Sequence, residues 1–192
     1  MPISHATPSP GPISDPEWDE AHLFGGFAYT VGSAFPGSPA SGDFCYRTDR
    51  DLEYRYNGTR WLSTTFYRTD FGVTDNLMPL SVSATTSGRM TPWGATDLWL
   101  ETFYSTIFVS GTNDGSNYWT IELKKYTAGN SPTTVASFNT SADSASTWTP
   151  KAVEIDDIFS AATYKQLQVI GTKTGSPANI YVPAAVAYRL VG

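Results

Sequence analysis

The sequence predicts an all-β chain: a jelly-roll-like antiparallel β-sandwich, preceded by a small β-meander and an extended N-terminal arm. Three observations carry this. From about residue 70 onward, short segments alternate apolar and polar residues at period two, separated by turns rich in Gly, Asn, Ser and Pro. Between residues 42 and 63 two hairpin signals follow one another. The first 16 residues, MPISHATPSPGPISDP, hold five prolines and almost no large apolar side chain, so they cannot offset the entropy of ordering by themselves.

Taken in order, residues 1–41 read as an arm with a short helix and a linker. Ser14 or Asp15 can cap a helix with Pro16 at its first position, and the helix should run from Glu17 to about Leu23. Trp18, Leu23 and Phe24 give it an apolar side that must dock on something. Residues 25–42 hold five glycines and two prolines, interrupted by one short strand expected over Phe27–Val31.

Residues 42–69 read as the meander. Its first two strands are separated by Thr48-Asp49-Arg50-Asp51 and the next pair by Asn57-Gly58, a pair suited to a type I′ turn because both residues tolerate positive φ. Along the middle strand Leu52, Tyr54 and Tyr56 should point one way, and Glu53 and Arg55 the other.

Residues 70–192 read as the sandwich. Strands are expected at 97–109, 118–126, 133–139, 151–156, 165–171 and 179–190. Trp119, Ile121 and Leu123 should face inward and Thr120, Glu122 and Lys124 outward, after a turn at Asn113-Asp114-Gly115-Ser116. Val153 with Ile155, and Leu167 with Val169, repeat that period. The longest window with any helical character is Asp157 to Tyr164.

Composition bounds the function. The chain is 40% hydrophobic and 14% aromatic, enough to build a core without metal or disulfide staples. With 12 Lys and Arg against 18 Asp and Glu, the net charge is −6 and no basic run occurs, which disfavours nucleic acid and anionic membrane surfaces as partners. No stretch of about eighteen apolar residues is present, and the N-terminus lacks the basic-then-apolar order of a signal peptide. A lone Cys45 cannot form an intrachain disulfide, so synthesis in a cytoplasm is expected.

Chemistry is sparse. His5 and His22 are the only histidines, too few for a zinc site or for a catalytic triad without a nucleophile elbow. Asp49, Asp51 and Glu53 cluster at a turn, where Asp bonds its own backbone. Asp156 and Asp157 follow Glu154, but nothing brings these two acidic groups together around a cleft. The expectation is therefore no enzyme, no catalytic residue, no metal and no cofactor. Trp93, Trp99, Trp119 and Trp148 are either core or a platform on which sugars stack, with Trp93 and Trp148 the residues singled out for glycan stacking.

The string Gly42, Asp43, Phe44, Tyr46, Arg47, Thr48, Asp49 followed by Tyr56, Asn57, Gly58, Thr59, Arg60 and Trp61 resembles a segment recurrent in tail-fibre, head-fibre and other appendage or decoration proteins of tailed phages. The opening ISDPEWDEAH, residues 13–22, is similar to segments near the N-termini of such proteins. The two stretches cover about a fifth of the chain, and no long repetitive fibre shaft is present. The resemblance implies a virion structural protein on the particle surface, a homotrimer anchored on a major capsid or tail protein. Ile13, Trp18, His22, Leu23 and Phe24 would serve the anchoring. The alternative is a carbohydrate-binding, receptor-recognising sandwich that touches a host surface glycan.

Overall fold

The computed structural model describes residues 4–5, 22–24, 26–71, 85–90 and 96–192, the first two stretches and 85–90 by backbone alone. The described residues form fifteen strands: β1 Ser4–His5, β2 His22–Phe24, β3 Phe27–Gly32, β4 Phe44–Arg47, β5 Leu52–Tyr56, β6 Trp61–Ser63, β7 Tyr67–Asp70, β8 Thr85–Met90, β9 Leu98–Val109, β10 Tyr118–Thr127, β11 Pro132–Asn139, β12 Trp148–Phe159, β13 Tyr164–Thr174, β14 Ile180–Tyr181 and β15 Ala184–Leu190. Among the described residues there is no helix. The chain divides into two compact units, residues 1–66 with 189–192, and residues 67–188.

The first unit is a six-stranded sheet in the order β1-β2-β3-β4-β5-β6, antiparallel except for the parallel pair β3 and β4. The expected meander is its last three strands. The expected helix does not extend to Leu23: His22–Phe24 instead form a hairpin arm with β3, pairing Leu23 with Ala28 and Phe24 with Phe27. Gly26, at φ +93°, makes the reversal that a residue with a side chain resists. Of the arm, residues 1–3, 6–21 and 25 lie outside the described residues, Glu17 to Ala21 of the expected helix among them.

Period two sorts the middle strand as anticipated. Tyr54 is fully buried with Cys45 and Trp61, and Phe35, Leu52 and Tyr56 pack against them. Phe35 stacks on Trp61 with centroids 5.2 Å apart and meets Tyr54 edge-on at 5.1 Å, both favoured ring arrangements. The β5–β6 connection departs from the type I′ expectation. Only Gly58 takes positive φ, at +96°, and four residues separate Tyr56 from its partner Trp61. The Asn57 side-chain oxygen accepts from the N–H groups of Thr59 and Arg60, both at 2.9 Å. An Asn side chain that supplies this acceptor replaces a backbone turn, so a longer loop becomes stable.

Residues 189–192 complete this unit. The Leu190 N–H donates to Ser63 Oγ at 3.0 Å, Val191 bridges Leu62, and the Gly192 N–H donates to the Trp61 carbonyl at 2.9 Å.

The second unit is the sandwich. One sheet has the order β11-β10-β13-β8, and the other β12-β9-β15-β7 with β14 added against β9. Counting the eight main strands from β7, the pairs 1 with 8, 2 with 7, 3 with 6 and 4 with 5 are all neighbours. This is a long hairpin rolled over on itself, the jelly-roll topology. Trp119, Ile121, Leu123, Leu167 and Val169 come inward from the first sheet, and Leu100, Phe103, Ile107, Val109 and Val186 from the second, all fully buried. The Trp119 indole N–H, which would be orphaned in that core, donates to the Ala178 carbonyl at 2.8 Å. Asp157 to Tyr164 is not helical: it ends β12, makes a turn through Ser160 and opens β13.

Candidate functional site

The outer face of the five-stranded sheet concentrates exposed rings. Along β9 the buried residues Phe103, Ile107 and Val109 leave Tyr104, Thr106 and Phe108 facing outward. Antiparallel pairing sets Ala152 opposite Tyr104, Pro150 opposite Thr106 and Trp148 opposite Phe108, so β12 presents Trp148, Pro150 and Ala152 on that same face. On the other side of β9, Tyr181 pairs with Phe108. Phe108 therefore lies between two rings, its centroid 5.2 Å from Trp148 and 5.8 Å from Tyr181. Trp148 keeps 46% of its surface exposed and Tyr104 keeps 39%.

Next to this cluster lies a concavity of about 710 Å³, within the range of ligand-sized clefts. Tyr104, Thr106 and Pro150 line it together with Arg68 and Asp70 from β7, and the buried Ala185 and Ser105 form part of its wall. Arg68 donates from Nε and Nη2 to Asp70 Oδ1, both at 3.3 Å, and its guanidinium carbon sits 5.9 Å from the Tyr104 ring centre. Lys151, also at the concavity, is paired with Asp143 at 2.5 Å. Both cations here thus have a carboxylate of their own.

The residues singled out from sequence fall in different places. Of the two glycan-stacking tryptophans, Trp148 is at this face, while Trp93 lies outside the described residues. Trp119 is core. Among the anchoring residues, Ile13 and Trp18 lie outside the described residues, and the backbones of His22, Leu23 and Phe24 are in β2. The sequence reading missed Tyr104, Phe108, Tyr181 and Arg68. Strand β9 carries rings on both faces and slips phase between Leu100 and Phe103, so a regular two-residue period could not separate lining from core.

The acidic turn is occupied with its own neighbours. Asp49 receives a two-pronged bond from Arg47, both prongs at 2.8 Å, which holds its carboxyl below the usual range. Asp51 accepts from the Tyr46 hydroxyl, and that bond raises the Tyr46 pKa. Glu53 accepts from Tyr29 at 3.4 Å; burial first, and then this carboxylate, raise the Tyr29 pKa. Among the described residues no group of three or more His, Cys, Asp or Glu side chains is placed to hold a metal ion.

No family model and no curated protein matches the sequence. Solved structures that it resembles include the VP2 subviral particle of infectious bursal disease virus, at 11% identity and a TM-score of 0.42, covering 76% of this chain and 41% of that one. The particle of the Gx strain of that virus matches at 11% identity and TM-score 0.36, covering 71% and 38%. The CBM22-1 and GH10 modules of Clostridium thermocellum xylanase 10B, complexed with xylohexaose, match at 11% and 0.37, covering 64% and 24%. The chain spans less than half the length of each of these, and the jelly-roll assignment stands on its own strand order.

Proposed function

We propose that this chain is a virion structural protein, a capsid decoration or a tail or head appendage, held on the particle through its N-terminal segment and presenting the jelly roll outward. The observation that supports it is what the phage-like string does in the fold. Asp43 accepts from the Ala28 and Ala40 N–H groups at 2.9 and 2.7 Å, tying the β3 end and the following loop to β4. Arg47 locks onto Asp49 and lies 4.4 Å over the Phe35 ring. Tyr56 packs against Trp61 at 5.3 Å across the Asn57 turn. The residues that carry the resemblance to appendage proteins are therefore residues that build the first unit.

On this reading the protein is a homotrimer that performs no chemical step, and residues 1–24 engage a major capsid or tail protein. The test is to purify particles from the producing host and to locate the chain by mass spectrometry and cryo-EM. The expected result is stoichiometric chain on the particle surface, lost when residues 1–24 are deleted. Chain found only in the particle-free fraction would overturn the reading.

A further inference from the structure

We infer that the outer face of the β7-β15-β9-β12 sheet is a binding site for a neutral oligosaccharide, gripped between the Tyr104 concavity and the Trp148–Phe108–Tyr181 cluster. This goes beyond a structural role in the particle and does not depend on it.

The argument starts from shape and reach. Tyr104 and Phe108 are four residues apart on one strand and project to the same side, about 13 Å apart at the usual rise per residue. The pair Thr106 and Pro150 lies between them and has short side chains. The result is a track with a ring at each end and short side chains between them, long enough for more than one sugar ring.

Chemistry then narrows the occupant. A pyranose has an apolar C–H face that rests on an aromatic ring and a rim of hydroxyls that both donate and accept. Exposed rings at Tyr104 and Trp148 suit the first, and the Arg68–Asp70 pair, largely open to solvent, offers a fork of donors beside an acceptor for the second. Charge decides between sugars. Among the described residues, Arg68 on this face is paired with Asp70, and Lys151, which lines the concavity, with Asp143, an arrangement that disfavours a sulfate or sialate. A second copy of this chain would also cover an apolar face, but the exposed, mutually bonded Arg68 and Asp70 on its edge strand β7 are a poor match for a dry subunit contact.

The test screens the folded protein against an array of neutral hexose, N-acetylhexosamine and deoxyhexose oligosaccharides, with sulfated and sialylated glycans alongside. At least one neutral glycan should bind, and Tyr104→Ala and Trp148→Ala should each weaken it by tenfold or more. Trp148→Phe should retain most of the affinity, and thermal melts should show that all three variants remain folded. Silence across the neutral glycans, binding confined to the anionic ones, or binding indifferent to both alanine variants would overturn the assignment. So would self-association abolished by Tyr104→Ala with no glycan bound.

Discussion

Lys125 on β10 reaches across the sandwich and donates to both carboxylate oxygens of Asp157 on β12, at 2.9 and 2.7 Å. Its ammonium also donates to the Ile158 carbonyl at 3.0 Å and lies 4.5 Å from the Tyr164 ring centre. The lysine side chain is only 7% exposed, while the aspartate is 36% exposed. The two partners should therefore respond unequally to removal. Asp157→Ala strands a buried ammonium and should cost about 2–3 kcal/mol, less than a fully buried pair because water reaches the site. Lys125→Met leaves only a half-exposed carboxylate and should cost under about 1 kcal/mol. Combining the two should recover most of the Asp157→Ala loss, as a double-mutant cycle in urea would report.

The Asn57 turn predicts the opposite of what a type I′ hairpin would. In a type I′ turn, Asn57→Gly would be neutral or better, because glycine adopts positive φ freely. Here Asn57 has no positive φ and its side chain accepts two N–H bonds. Asn57→Gly should therefore destabilise the first unit by about 1–2 kcal/mol, while Asn57→Asp, which keeps the acceptor, should stay near wild type. Chemical denaturation followed through the buried Trp61 would read both.

Asp114 gives a pH dependence with a definite sign. The Ser116 N–H, then the Asn117 side chain and N–H, bond its carboxylate and lower its pKa from the usual value. The contribution is present above the unfolded-state pKa of about 3.9 and is lost as pH falls through the lower folded value. Asp114→Asn should melt earlier than wild type at about pH 6, and the gap should close by about pH 2. A constant gap across that range would refute the assignment.

The tryptophans separate by depth. Trp119→Ala removes a fully buried indole and its bond to Ala178, and should cost about 3–5 kcal/mol. Trp148→Ala, at the surface, should cost under about 1 kcal/mol. Acrylamide should quench the Trp148 emission and leave that of Trp119 almost untouched.

Legibility in the sequence followed the physics of each element. Strand β10 could be read residue by residue, because one face meets an apolar core and the other carries Thr120, Glu122 and Lys124, with Glu122 and Lys124 paired at 2.8 Å. The six strands expected after residue 96 correspond to β9–β13 and to the β14–β15 region. By contrast, His22–Phe24 offered an apolar triplet that suits helix or strand equally, and only pairing with Phe27–Tyr29 decides it. The parallel β3–β4 pair was invisible for a similar reason: it depends on a crossover and not on local pattern. The candidate site was the least legible part, because it is assembled from β7, β9, β12 and β14, and sequence showed only Trp148 of it.

The closing contacts of Leu190, Val191 and Gly192 make the jelly roll an insertion within the smaller unit. More than a hundred residues must leave the ribosome between Ser63 and the donor that satisfies its hydroxyl. The smaller unit can collapse early, yet its last strand stays unclasped until synthesis has passed the whole insert. Any partner that reads the finished edge of that sheet would therefore meet only chains in which residues 190–192 have folded back onto β6.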